Sequence, residues 1–440
     1  MRTLGSGLRA TPTPGRRAGS FSYCQGGARA KRLLAAVFTT LACLAGCAAG
    51  TGASGRGDLE TESAAPAPAV PPAERPVARI ELVVEGGHGA YSERLDRLAF
   101  ARFDPHVIGA PELSGKNDQT GTFQLWIADP DGANQRCLSC RQVPGGPRPN
   151  QHVGLPSWHP SGEWLIVAVE MPQHAAPHAK SHAGTGAYVD LWAVTPDSGR
   201  WVQLTRYANR ALRTRFPDQP VGALVPRLNR RGDALVWAEM IGYDKRHPFG
   251  IWRLAVAEVV IDARGPRLEN KRIFRPGTQQ TTFYEAWSFS PDDRTVTVAS
   301  DSGGVHFGYM DAQVWPIGSD SLTSLTRSAR EYEEQAIFSP DGRSIAFMST
   351  RGQSPRYDPS HDFWGTFRTD VWLMDAGGGN PRRLTYFSDP AYPEYIPGAV
   401  NRAIPVAWAP DGRSIFVDVN QNRGPQQLHE STRIYRVYLK

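Results

Sequence analysis

The chain has 440 residues, 40% of them hydrophobic and 10% aromatic, with 44 Gly and 36 Pro. That is material for one large or two ordinary domains built from many turns, and it argues against long helices. The formal charge of +6 comes from the first 46 residues, which hold seven Lys/Arg and no acid. Taking those seven from 49 leaves 42 basic against 43 acidic residues, which excludes nucleic acid as a partner.

Lys31-Arg32 precedes a twelve-residue, mostly apolar run, Leu33–Leu44. It is too short to span a bilayer and has the size of a signal-peptide core. Leu44-Ala45-Gly46-Cys47 then resembles the bacterial lipoprotein signal, in which the chain is cut before the Cys and the Cys is acylated. The resemblance implies a signal peptide over 1–46 and lipidation at Cys47. Ala48 stands where enterobacterial lipoproteins kept at the inner membrane carry Asp, so the expectation is an outer-membrane anchor facing the periplasm. Residues 47–77, rich in Ala, Gly and Pro, read as a flexible tether reaching about 90 Å if extended.

From residue 78 onward the chain repeats itself. "AIFSPDGRSIAF" begins at Ala336 and "VAWAPDGRSIFV" at Val406, and "SWHPSGEWLIV", "RLNRRGDALVW" and "SFSPDDRTVTV" begin at Ser157, Arg227 and Ser288. A degenerate copy, "AYSERLDRLAF", begins at Ala90. The residue before each turn is large and apolar: Tyr91, Trp158, Leu228, Phe289, Phe338, Trp408. Pro presets the first corner, Asp bonds locally and Gly takes the left-handed conformation that closes a hairpin. Asp293 replaces that Gly in the fourth copy and Leu95 in the first, where a branched residue has no ready explanation.

A second signal comes after each turn: Trp126, Trp192, Trp252, Trp315, Trp372 and Tyr435, most within a D-x-W-like strand. A third, Leu-Ser or Leu-Thr, closes most units at Leu138, Leu204, Leu325 and Leu384. Six units of four short antiparallel strands predict an all-β, six-bladed β-propeller over 78–440. The sixth unit lacks a strand, and "ARIELVVEG" at 78–86 is unpaired, so an N-terminal strand is expected to complete the last blade and close the ring.

The P-D-G column with its D-x-W and L-T strands resembles the TolB-type six-bladed propeller family, a WD40-like repeat shared with the propellers of prolyl-oligopeptidase-like peptidases. The resemblance covers 78–440 and implies the fold more than a function, since such propellers serve as docking platforms, gates or enzymes. The nucleophile elbow G-x-S-x-G of the peptidases is absent from the sequence.

In a propeller, the loops between strands two and three share a face with the segments between blades. His106, His247, His306, His361 and His429 fall in the former, with His174, His178 and His182 in blade two, and His88 and His152 fall in the latter. Only His159 belongs to the other face. Glu285, Glu334 and Trp364 join them at the expected channel mouth. Two accounts stay open: a ligand or metal site, and solvated loops that collect His. The segment 351–368, "RGQSPRYDPSHDFWGTFR", reads as an exposed aromatic and charged recognition loop. Cys137 and Cys140 compete among a disulfide, half a zinc site with His152 as one further ligand, and a redox pair; Arg141 rules out haem attachment. A structural disulfide, natural in an oxidising envelope, is the expectation.

The function expected is a non-catalytic, lipid-anchored envelope module, monomeric, with no cofactor and with a protein or glycan as partner. The competing expectation is a metal-assisted lyase or hydrolase acting on a glycan, as in some propellers the family resembles, with manganese, iron or zinc at the His-bearing mouth.

Overall fold

The computed structural model describes residues 75–104, 122–172, 186–210, 218–244, 247–278, 281–302, 308–328, 330–422 and 432–440. Cys47, His106, His174, His178, His182, His306 and His429 lie outside them, as do the side chains of His247 and Trp364.

The first strand, β1 (Val77–Glu85), belongs to no sheet formed by its neighbours in sequence. Blade 1 is β2 (Gly87–Ser92), β3 (Arg97–Asp104), β4 (Thr122–Ala128) and β5 (Arg136–Cys137); blade 2 is β6 (Val153–Trp158), β7 (Leu165–Glu170), β8 (Val189–Val194) and β9 (Trp201–Gln203). Blade 3 has long outer strands: β10 (Gly222–Leu228), β11 (Ala234–Asp244), β12 (His247–Asp262) and β13 (Gly265–Phe274). Blade 4 is β14 (Tyr284–Phe289), β15 (Thr295–Ser300), β16 (Asp311–Pro316) and β17 (Thr323–Ser324). Blade 5 is β18 (Glu333–Phe338), β19 (Ser344–Ser349), β20 (Asp370–Asp375) and β21 (Arg382–Arg383), with a single helical turn, α1 (Phe363–Thr366), between β19 and β20. Blade 6 contributes β22 (Val400–Trp408), β23 (Ser414–Asn422) and β24 (Thr432–Leu439), and β1 is its fourth strand.

The ring closes as the sequence predicts. β1 pairs antiparallel with β24, Ile80 opposite Val437 and Leu82 opposite Tyr435. Inner strands pack on their neighbours around the circle, β22 meeting β2. Apolar side chains between sheets form the core, with Trp237, Trp252 and Trp315 fully buried. The clamp at the closure is polar: Arg75 pairs with Glu394 and lies 5.5 Å from the Tyr392 ring, which stacks on Tyr386 at 3.7 Å.

The recurring D-x-W and L-T spellings have one physical cause. The Asp that opens strand three accepts from the Thr after strand four, and that Thr hydroxyl in turn accepts from the next backbone N–H of strand three. Asp190, Thr205 and Leu191 do this in blade 2, Asp311, Thr326 and Ala312 in blade 4, and Asp370, Thr385 and Val371 in blade 5. Blade 1 substitutes Gln124 and Ser139. A buried hydroxyl thereby ties the outermost strand to its neighbour where ladder bonds run out.

The turns show why Leu95 is tolerated. Gly162, Gly232, Gly342 and Gly412 have φ of 76, 79, 71 and 67°, and Asp293 has 61°. In the first turn the left-handed residue is Asp96, φ 50°, one position later, so Leu95 is spared it. Leu95 instead packs on Gly162 of the next blade, where a Cβ would come within 2.7 Å of it, as His159 packs on Gly232. Glycine is needed there for conformation and for close approach.

Candidate functional site: the hub and the loop-bearing face

Each inner strand carries a bulge at the same place, two or three residues before its large apolar residue. The residue four positions before that large apolar residue, at or just before the bulge, forms one column: Gly87, Gly154, Leu224, Glu285, Glu334, Ile404. Blades 4 and 5 thus aim two glutamates into the hub from adjacent strands, and both are fully buried.

No protein donor is in hydrogen-bond geometry with any of their four oxygens among the described residues. Burial and then the charge of Glu334 push Glu285 well above the usual carboxylate range. Burial raises Glu334 to about 7, against the lowering effect of contacts with Glu285 and Tyr332. A carboxyl that keeps its proton supplies the missing donor and removes the repulsion, which is why both groups are raised and their titrations are linked. Arg227 of blade 3 reaches in from the side, its Nε donating to the Trp287 carbonyl at 3.0 Å, and its charge favours ionised Glu285. Burial lowers Arg227 itself to about 10.

On the loop side, rings shut the pair from solvent. Tyr332 lies 6.2 Å from Tyr357 and 4.8 Å from Phe367; Phe363 lies 5.9 Å from Tyr357 and 6.4 Å from Phe249 of blade 3. This corrects the expectation that 351–368 is an exposed aromatic loop. Tyr357 and Phe367 are buried, with the Tyr357 hydroxyl donating to the Gly308 carbonyl at 2.6 Å, and the described residues left outside include Ser354, Arg356, Ser360, His361 and Asp362. Burying a ring is worth about 2–3 kcal/mol, which a solvated recognition loop would forgo.

The histidines take separate places. His88 lies within β2 itself, buried and left-handed (φ 54°), with its backbone N–H donating to Asp418; burial, then Arg227, lowers its pKa to about 4, so the ring is neutral. His152 accepts from the Phe123 N–H through Nδ1 at 3.1 Å and receives the Phe123 ring at 5.7 Å. His361 is exposed and 2.8 Å from Asp358. His247 is the first residue of β12, in a tight hairpin paired with Asp244 rather than in a long loop. Among the described residues no group of three or more His, Cys, Asp or Glu side chains is arranged to hold a metal ion. Cys137 and Cys140 are joined by a disulfide, the chain turning through Leu138-Ser139 so that their Cα atoms are 5.8 Å apart.

Open space lies beside the hub. A cleft of about 470 Å³ sits between blades 5 and 6, lined by Ser354 and Arg368 from the β19–β20 segment, Ser388, Tyr395 and Gly398 from the β21–β22 segment, and Asn422 at the end of β23. Sequence reading missed this cleft, because its residues are spread over blades and belong to no repeat column. It also missed Arg227, Tyr332 and Asp418. The "EYEEQ" run at Glu331 was a usable signal, since the same strand start reads "VGLP" in blade 2 and "GALV" in blade 3.

No protein-family model matches the chain, and no curated protein matches it. Solved structures of similar fold include TolB from Acinetobacter baumannii (13% identity, 79% of this chain and 65% of that one, TM-score 0.43). They also include a putative TolB from Agrobacterium tumefaciens (14%, 70% and 94%, 0.39) and an oligogalacturonate lyase in complex with manganese (12%, 82% and 91%, 0.40). The chain therefore spans 65% of the A. baumannii protein's length. Likenesses this distant concern fold, not activity.

Proposed function

We propose that this protein is a non-catalytic binding platform of a bacterial cell envelope, tethered through Cys47 and presenting its loop-bearing face to a protein or glycan. The observation that carries the reading is the separation of chemistry from access. The ionisable pair with raised proton affinity, Glu285 and Glu334, is sealed at the hub, whereas the open cleft beside it contains no acid–base pair. A general acid must reach the atom it protonates, and these carboxyls reach only each other and Tyr332. The disulfide and the leader's lipoprotein-like box suit an oxidising, membrane-apposed compartment.

The test is photo-crosslinking in cells from two sets of positions, His361 and Tyr395 on the loop-bearing face and Arg413 in a turn on the opposite face. Adducts to one envelope component from the first set alone support the reading; equal labelling from both, or none, counts against it. Elemental analysis of the full chain is expected to find no stoichiometric manganese, iron or zinc. Metal at one per chain, lost in His152→Ala or His361→Ala, would move the protein to the enzyme class.

A further inference from the structure

The cleft between blades 5 and 6 has a chemical character that the platform reading does not specify. Its volume, about 470 Å³, falls within the roughly 300–1,000 Å³ of small-molecule sites. Among the described residues of its lining, Arg368 is the one ionisable cation and there is no carboxylate. One guanidinium nitrogen, Nη1, donates to the Gly365 carbonyl of α1, which fixes the group in place. No carboxylate forms an ion pair with Arg368 among the described residues; Asp362 and Tyr395 contribute only longer-range attraction. A half-buried guanidinium that has one hydrogen bond and no direct ion pair among the described residues keeps donors for an incoming anion.

Three further features converge. The Ser388 Oγ is buried with no hydrogen-bond partner among the described residues, so no bond is broken if the hydroxyl turns to the open space its residue borders. The Tyr395 ring is 37% exposed, one of few large apolar side chains left so, and forms a wall of the same cleft. Gly398, at φ 71°, leaves nothing within 4 Å of where a Cβ would stand, so the floor is open there. The polar groups come from two separate inter-strand segments, and both are anchored: Gln353 to Asp370 at 2.7 Å, and Ile396 to the Phe387 carbonyl at 2.9 Å. The geometry is thus held by rigid elements before any ligand arrives.

We propose that this cleft binds a small ligand through a terminal oxyanion, carboxylate or phosphate, which pairs with Arg368 and accepts from the Ser388 hydroxyl once that side chain rotates toward the cleft, while the Tyr395 ring covers the ligand's uncharged body. The inference deepens the platform reading and rests on it only for the use of this face. A peptide's carboxyl terminus and a phosphate ester share the chemistry, and the probes separate them.

Titration calorimetry on the full chain uses acetyl-alanine and glycerol 3-phosphate, with acetyl-alanine amide and glycerol as uncharged counterparts. Saturable binding is expected for at least one charged probe and for neither counterpart, and the tighter of the two identifies the source. Arg368→Gln is expected to weaken that binding by about tenfold or more and Arg368→Lys by less, as for loss of a charge-assisted bond. Ser388→Ala and Tyr395→Ala, neither of which bonds to the frame, are expected to weaken it about threefold to tenfold. Thermal unfolding of each variant checks the fold; if Arg368→Gln melts early, Ser388→Ala and Tyr395→Ala decide. Absence of saturation by both anions up to about 10 mM, equal binding of charged and uncharged probes, or wild-type affinity in the variants that fold would overturn the proposal. Such a failure leaves the crosslinking result standing, and a failure of crosslinking leaves the calorimetry intact.

Discussion

The two faces of the ring are built by opposite rules. On one, six short turns each hold a left-handed residue, and at Gly162, Gly232 and Gly342 it lies against Leu95, His159 and Pro291 of the preceding blade's turn. On the other, the connections share no length or spelling. One is a tight hairpin from Asp244 to His247, and another folds three rings inward over the hub. Uniformity serves closure; variety leaves room for a site.

Removing residues 75–85 tests what both faces share. Without β1, β24 presents a bare edge and the clamp of Arg75 on Glu394 is lost. The truncated chain is expected to aggregate or to lose its single cooperative unfolding transition, measured by light scattering and calorimetry; a soluble protein of unchanged melting temperature would refute ring closure as the source of stability.

Next in size is the pH dependence of the hub. A carboxyl whose folded pKa is raised contributes its stability below the unfolded value and loses it as pH rises to the folded value. For Glu334 that window runs from 4.5 to about 7. Asp418, raised to about 8 by burial, extends the loss upward, while His88, lowered to about 4, opposes it below 6.5. Glu334→Gln should therefore gain on the wild type between pH 5 and pH 8, by up to about 3 kcal/mol. Denaturant titrations at the two pH values measure it, and parallel curves would show that Glu334 is not raised in the folded protein.

Thr385→Val removes the hydroxyl between Asp370 and the Val371 N–H and is expected to cost about 1–3 kcal/mol. The smallest effect sharpens the contrast between turns. Gly232→Ala and Gly412→Ala both bear the left-handed penalty, but only the first places its Cβ 2.4 Å from His159. It should be the less stable of the two by about 1–2 kcal/mol, and His159→Ala should erase the difference.

This division explains what the sequence displayed. Turns, the apolar column and the D-x-W and L-T pairs recur because each blade solves the same packing problem, so one chain contains six comparisons. Glu285 and Glu334 were visible as acids near a strand start, but not as partners, because their meeting depends on which column faces the axis. The histidines suggested a shared site since topology put them on one face. A face is wide, however, and His88 ended inside a strand while His361 ended in solvent. Ser388 and Tyr395 escaped notice, and Arg368 stood out only as part of a charged loop, because a cleft between unlike loops leaves no periodic trace.

The pairing of Val77 with Leu439 has a temporal side. The ribosome makes one partner ahead of all the sheets and the other after the remaining five blades, so no order of synthesis lets that blade mature early. Five blades can gather while the chain emerges, but the sixth waits for β24, and until then β1 and β23 lack their shared partner and are open to any passing polypeptide. A nascent chain of this kind has reason to be escorted by a chaperone until β24 is in place, and loss of β24 would be far more damaging than most substitutions within the sheets.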